Sequence, residues 1–260
     1  MLEELGEFTF NNYRILYPSN ALDQAFWLSL CENLIVDVYR SSEFLRDNYV
    51  VLDLGASIGS FCVIASRLVG KKGKVIAIEP DTDSFQILKN NIQRNNCQNV
   101  IALNLGVAGE PGEKEITFSR KTYRFKVNSL ENILHELNVT DKIDFVKMDI
   151  EGSEDEVIRD SIHILKQTSA ISLEFHGTRR ILDELLIPNG FSFKPITMKY
   201  IYKNLTKSLL LHPIDFCKAS FNTIRNNPQV VHSAISGFGV TRRNVDRNEG
   251  ILVGAYFRKI

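Results

Sequence analysis

The stretch VVLDLGASIGSF, residues 50–61, decides the fold. It begins as an apolar run and breaks at Gly55, and a second glycine, Gly59, precedes an apolar segment of helical period. A strand that ends in such a turn and re-enters a helix points backbone N–H groups at a ligand beside the strand's carboxyl end. We therefore expect a βα unit whose turn holds a small anion, although two glycines that only ease a tight turn would give the same pattern.

Short apolar runs alternate with helix-like stretches along the following chain, which is typical of a parallel sheet covered by helices. The further predicted strands are KVIAIEP (74–80), NVIALNL (99–105), DFVKMDI (144–150), AISLEFH (170–176), FSFKPITMKYIYK (191–203) and GILVGAYFRKI (250–260). Residues 1–47 are expected to form a cap with an extended piece and one or two helices. Residues 48–260 are expected to form one domain with an insertion at about 203–249.

The composition is that of an ordinary globular protein. The chain has 260 residues, with 31 basic and 31 acidic side chains, so its neutral charge favours neither a broad nucleic-acid footprint nor a membrane surface. The acidic N-terminus does not fit a signal peptide, and we expect a cytoplasmic protein. The four cysteines are scattered and no cluster has metal-ligand spacing, so the sequence predicts reduced thiols and no metal.

The glycine spacing restricts the class of ligand that the turn can hold. The dinucleotide fingerprint G-x-G-x-x-G needs a glycine where this chain has Ser57, so a pyrophosphate is disfavoured and a carboxylate fits better. Glu79 ends the next strand, where an acid accepts hydrogen bonds from the two hydroxyls of a ribose. A carboxylate at one end and a ribose at the other describe S-adenosylmethionine.

These motifs, followed by VKMDIEGSEDEV and ISLEFHG, resemble the FkbM family of S-adenosylmethionine-dependent methyltransferases. The resemblance covers about residues 48–192. It implies a Rossmann-like class I methyltransferase fold of the α/β class, with a mostly parallel seven-stranded sheet, helices on both faces and an antiparallel last strand. It also implies O-methylation of a hydroxyl on a sugar, glycan or other small molecule.

The resemblance also implies a cofactor site. Asp53, Gly55, Ala56, Ser57 and Gly59 would hold the methionine portion of S-adenosylmethionine, and Glu79 with Pro80 the ribose. Asn104, Leu105 and Gly106 would border the adenine. Gly109 stands where the family often has an acid, which is a departure on the adenine side.

Candidate catalytic groups follow the next two strands. Alternation places Asp149 and Glu151 on one side at the end of one strand, and Glu174 and His176 together at the end of the next. A neutral imidazole accepts a proton near physiological pH, so His176 is the predicted base. The two acids after the first strand would contact the cofactor or serve as base, although Glu151 would equally cap the following helix.

The insertion at 203–249 is rich in lysine and arginine, and Arg242 and Arg243 form its predicted binding pair for an anionic or lipid-linked acceptor. A solvated lid or an oligomer contact would show the same composition. Two other functions fit the sequence: a methyltransferase acting on RNA such as tRNA, and a cofactor-binding interaction protein without catalysis. The neutral charge and the intact motifs disfavour both.

Overall fold

A seven-stranded sheet forms the centre of the protein in the computed structural model, which describes residues 4–19, 24–118, 121–226 and 253–258. In spatial order the strands are β11 (Ser192–Pro195), β12 (Val253–Phe257), β10 (Ala170–Glu174), β9 (Phe145–Met148), β3 (Val50–Leu54), β4 (Lys74–Ile78) and β5 (Val100–Leu103). The strands from β10 to β5 are parallel, whereas β12 runs antiparallel to both of its neighbours. This topology confirms the predicted class I arrangement.

Helices cover both faces of the sheet. They are α3 (Ser60–Val69), α4 (Thr82–Arg94), α5 (Leu130–Glu136), α6 (Glu154–Leu165) and α7 (Arg179–Leu186). Every residue of β3 is buried: Leu52 packs in one apolar cluster with Ile158 of α6, and Val51 packs in the other with Phe61 of α3. A strand covered on both faces explains why its sequence is an almost continuous apolar run.

The N-terminal residues form a hairpin and short helices. Strands β1 (Leu5–Phe10) and β2 (Tyr13–Pro18) pair antiparallel, and α1 (Gln24–Cys31), a π-helical turn (Glu32–Val36) and α2 (Ser41–Phe44) follow. The extended piece and the helices were expected, but the hairpin was not. Its signal was the pair Asn11-Asn12, which adopts φ of 47° and 63°, as hairpin turns require.

A second, three-stranded sheet lies after β5 and was not predicted. It contains β6 (Gly106–Ala108), β7 (Gly112–Phe118) and β8 (Lys121–Ser129), with β8 in the middle. The β8 segment alternates apolar and polar residues from Tyr123 to Asn128, and this period of two was the available signal.

The predicted strand at 191–203 is wrong in its second half. Only Ser192–Pro195 is extended, and α8 (Met198–Leu211) begins soon after it. The Thr197 hydroxyl caps this helix by accepting a hydrogen bond from the Tyr200 amide at 3.3 Å. The helix α9 (Pro213–Asn226) follows, and none of the helices in the described ranges is long and apolar enough to cross a membrane.

Candidate active site

The carboxyl edge of the sheet collects acids that were predicted to bind the cofactor or to act in catalysis. Asp53 lies in β3, Glu79 follows β4, Asp149 follows β9 and Glu174 ends β10. Because these four strands are parallel neighbours, their carboxyl ends meet at one edge. Residues that are far apart in the sequence therefore share one site.

The glycine turn is built differently from the prediction. The amides of Gly55 and Ala56 donate to the carbonyl of Ile78 at 3.0 and 2.9 Å, and the amide of Gly59 donates to the carbonyl of Ala56 at 2.8 Å. Contrary to the prediction, these amides are not free to cradle an anion, because the end of β4 accepts from the first two and a carbonyl of the turn itself accepts from the third. That these residues border the cofactor remains a prediction.

Gly55 has a separate role in packing. A Cβ at this position would lie 1.8 Å from the backbone oxygen of Asp149, and Gly55 adopts φ of 74°. Only glycine lets the turn approach the end of β9 so closely. The turn and Asp149 are therefore in direct contact, as a site shared between β3 and β9 requires.

Glu79 joins the turn to the next helix. It is buried, and its two oxygens accept hydrogen bonds from the amides of Ser57 at 2.7 Å and Asp81 at 2.8 Å. Burial raises its pKa to about 7, although the two amides and the charge of Lys147 act in the other direction. Each carboxylate oxygen has a second lone pair, so Glu79 can still accept from a ribose hydroxyl.

Lys147 lies at the centre of the site. Its buried Nζ donates to the carbonyl of Gly55 at 2.5 Å and lies 3.4 Å from Asp53 and 3.8 Å from Asp149. Burial lowers the pKa of Lys147, but the carboxylates of Asp53, Asp149 and Glu79 outweigh it and raise the pKa above its usual value. Lys147 is thus a charged link between the turn and both strands.

The N-terminal cap adds two groups to this edge. Tyr39 donates its hydroxyl to Asp149 Oδ2 at 3.2 Å. Burial, then the charges of Glu174 and Asp149, raise the pKa of Glu32 to about 8. Burial and Asp149 likewise raise the pKa of Glu174 to about 7. Burial is the larger cause of both shifts, and the neighbouring carboxylates, which add to it, favour a bound cation.

His176 is held by a carboxylate from the first turn of α6. Its Nδ1 lies 2.8 Å from Oε1 of Glu154, which is fully buried, and its Nε2 lies 3.5 Å from Glu151. Glu154 also accepts hydrogen bonds from the amide of Gly152 at 3.0 Å and the hydroxyl of Thr178 at 3.4 Å. These bonds fix the carboxylate, which in turn fixes the imidazole.

The same carboxylates change the protonation of His176. Burial lowers the pKa of the imidazole, but the hydrogen bond and charge of Glu154, followed by the charges of Glu151 and Glu174, raise it to about 9. The ring is therefore protonated near neutral pH. It must lose that proton before it can accept one from a hydroxyl group.

Three of these side chains also offer metal-ligating atoms close together. One ligand atom from each of Asp149, Glu151 and His176 lies within 4.8 Å of the other two. Glu151 reaches this position through a left-handed backbone conformation, with φ of 56°. Within the described ranges, this group is the candidate position for a divalent cation.

The predicted adenine side is tied together by Asn104. Its amide donates to the carbonyls of Glu79 at 2.9 Å and Pro80 at 3.1 Å, which joins the ends of β4 and β5. Gly106 packs against β8, since a Cβ there would lie 2.9 Å from Phe125. Asn104 and Pro80 thus border the site's edge, whereas Gly106 has a packing role.

Packing explains why Gly109 stands where the family often has an acid. A Cβ at this position would lie 2.0 Å from the Asp160 carboxylate, and the Gly109 amide donates to Glu156 at 2.9 Å. Helix α6 therefore occupies the space that a side chain would need. Leu105 packs against the core, while Arg242 and Arg243 lie outside the described residues.

A cavity lies elsewhere in the described residues. It has a volume of about 820 Å³ and is lined by the ends of α5 and α6 and by the loop before β9, including Leu134, Asn138 and His163. These residues precede the sheet's strands rather than follow them, so the cavity does not contain the acids described above.

The sheet order and the glycine turn define a class I methyltransferase fold. The FkbM methyltransferase domain model matches residues 53–187, slightly more than half of the chain. The chain belongs to the FkbM methyltransferase domain family.

Parts of the chain are similar to curated proteins and to solved structures. The "Probable cobalt-precorrin-6B C(15)-methyltransferase (decarboxylating)" of Sulfurisphaera tokodaii is 39% identical over 59 residues, which are 23% of this chain and 31% of that protein. The match thus spans about a third of this curated relative. An FkbM methyltransferase from Methylobacillus flagellatus is 18% identical, covering 69% of this chain and 52% of that chain at a TM-score of 0.45. A SAM-dependent methyltransferase from Aquifex aeolicus is 14% identical, covering 67% and 92% at a TM-score of 0.42.

Family membership implies S-adenosylmethionine as the cofactor, and the residues present fit it. The buried Asp53 carboxylate lies 3.4 Å from Lys147, and Glu79 has acceptor capacity left. Asp149 and Glu174 place further carboxyl oxygens at the same edge of the sheet. A ligand with a sulfonium, an ammonium and a ribose matches these groups.

Proposed function

We propose that this protein transfers a methyl group from S-adenosylmethionine to a hydroxyl oxygen of a sugar, a glycan or another small molecule. The observation that carries the proposal is the His176–Glu154 pair at the sheet edge where the glycine turn meets the acids. When bound, the cofactor supplies a methyl group on a positively charged sulfur. The protein's own residues must bind it, orient the hydroxyl and take up its proton.

The binding role falls to the acids around the turn. Glu79 accepts from the ribose, and Asp149, whose side chain is 28% exposed, faces the positive end of the ligand. Alignment of acceptor and donor accounts for about 7–11 kcal/mol of a displacement barrier in favourable cases. The fixed turn, held by Lys147 and Glu79, supplies this alignment.

The proton-accepting role falls to His176. Glu154 holds Nδ1, so Nε2 is the nitrogen left to receive the hydroxyl proton. A positive charge on the bound cofactor lowers the pKa of the neighbouring imidazole and so favours its neutral form. A positioned base adds a rate factor of about a hundred to ten thousand.

Replacing Glu79 with glutamine is expected to weaken S-adenosylmethionine binding by about ten- to a hundredfold, since a hydrogen bond to a charged group contributes about 1.5–3 kcal/mol. Isothermal titration calorimetry measures the affinity. The control is Asp141→Asn, which removes an exposed carboxylate paired with Lys74 at the opposite edge of the sheet. Unchanged affinity in the Glu79 variant would exclude the ribose contact.

Replacing Glu154 with glutamine is expected to lower the pKa of His176 from about 9 by about one to three pH units, because a nearby negative charge is removed. A pH titration of the imidazole protons by NMR measures this without an acceptor. Glu156→Gln is the matched control, because Glu156 lies on the same helix but binds Lys114 and Gly109. An unshifted titration in Glu154→Gln would contradict the pairing.

Transfer of isotopically labelled methyl groups tests the function itself. The purified protein is incubated with labelled S-adenosylmethionine and with separate host fractions of glycans, small metabolites and tRNA. Label in glycans or metabolites supports the proposal, whereas label in tRNA alone would make the protein an RNA methyltransferase. Cofactor binding without label in any fraction would favour a non-catalytic binding protein.

A further inference from the structure

The helical hairpin of α8 and α9 carries most of the exposed large apolar side chains in the described part of the chain. Seven of the nine such side chains lie on it: Met198, Tyr202, Leu209, Leu210, Leu211, Ile214 and Phe221. Leu210, Leu211 and Ile214 flank the bend at His212 and are 74%, 61% and 69% exposed. An apolar tip of this kind is unusual on a protein surface and indicates a binding function.

Contacts with the rest of the protein hold one face of α8, and they determine which of its side chains lie on the outside. Ile201 and Asn204 are buried, and Ser208 donates its hydroxyl to the carbonyl of Ile35 at 2.9 Å. The Tyr200 hydroxyl donates to the carbonyl of Asp37 at 3.0 Å. These contacts anchor the helix to the N-terminal cap and leave the apolar tip on the outside.

Positive charge lies beside the apolar side chains. Lys199, Lys203 and Lys207 are exposed and follow one another at four-residue spacing, so they form one row along α8. Lys218 is exposed on α9. The single acid between residues 198 and 222, Asp215, accepts a hydrogen bond from the amide of Asn11 at 2.9 Å. The hairpin therefore presents excess positive charge next to aliphatic side chains.

We propose that this hairpin binds the surface of an anionic lipid bilayer. Its tip, residues 209–214, enters the boundary between headgroups and acyl chains, while the lysine row contacts the negatively charged headgroups. Aliphatic side chains beside lysines on one helical face have the chemistry of an interfacial membrane anchor. The apolar tip matches the acyl chains and the lysines match the lipid charge. The inference does not depend on methyl transfer.

Co-sedimentation of the full chain with vesicles tests the proposal. We expect binding to vesicles made of equal parts of phosphatidylglycerol and phosphatidylcholine, weaker binding at high salt, and little binding to phosphatidylcholine alone. The double variant Leu210→Ser, Ile214→Ser should bind at least about tenfold more weakly. Lys203→Gln should weaken binding to the anionic vesicles by about fivefold.

The control is Ile187→Ser, which removes a half-exposed apolar side chain that follows α7, away from the hairpin. It should bind vesicles like the unchanged protein, and far-ultraviolet circular dichroism checks that each variant is folded. Absence of vesicle binding would overturn the proposal. So would equal binding by the folded Leu210, Ile214 variant, or a concentration-dependent dimer that this variant abolishes, since the tip would then bind a second copy of the chain.

Discussion

Replacing Gly55 with alanine is expected to destabilise the protein by about 3 kcal/mol or more, which is the sum of a backbone and a packing effect. Gly55 adopts φ of 74°, a conformation that L side chains avoid. The new Cβ would also lie 1.8 Å from the backbone oxygen of Asp149. Backbone atoms cannot move aside as a flexible side chain can, so β3 and β9 would have to separate.

Gly177→Ala is the matched control for this effect. Gly177 has nearly the same φ, 79°, but a Cβ there meets no atom within 4 Å. Its substitution should cost only about 1 kcal/mol, which is the backbone effect alone. Urea unfolding followed by circular dichroism gives both free energies. Equal losses in the two variants would mean that the contact with Asp149 does not constrain the turn.

The central sheet was predictable because strands that are buried on both faces have an almost continuous apolar sequence. Strands such as β3 are apolar throughout, and the glycine turn marks where the first of them ends. The segment at 196–203 was not predictable in the same way, since its aromatic and β-branched residues favour a strand. The Thr197 cap and contacts of Tyr200 with the N-terminal cap override that preference.

The sequence predicted only those site residues whose position follows from the alternation of side chains along a strand. Period two correctly placed Asp149 and Glu174 at the shared edge. Alternation does not reveal which side chain arrives from another element, so the hydrogen bond between His176 Nδ1 and the Glu154 carboxylate was missed. Tyr39 and Glu32 come from the segment that precedes the family match, and only the folded chain brings them to Asp149.

Replacing Lys147 with methionine is expected to lower the free energy of unfolding by about 3 kcal/mol near neutral pH, because it leaves the buried Asp53 carboxylate without its ion pair. The loss should shrink as the pH falls. Burial already raises the pKa of Asp53, while the charge and hydrogen bond of Lys147 lower it. Without Lys147 the folded-state pKa rises further, so a proton neutralises Asp53 at a pH where the unfolded chain is still ionised.

The pH dependence separates this charge effect from lost packing. A group with a raised folded-state pKa stabilises the fold below its unfolded pKa and loses that contribution as the pH rises through the folded value. Urea unfolding of Lys147→Met should therefore show a larger deficit at about pH 8 than at about pH 5. Adding Asp53→Asn to Lys147→Met should recover part of the loss, because it removes the unpaired charge without changing the shape of the side chain. A deficit that is the same at both pH values, and that Asp53→Asn does not reduce, would mean that Lys147 acts through its stem and its bond to the Gly55 carbonyl instead.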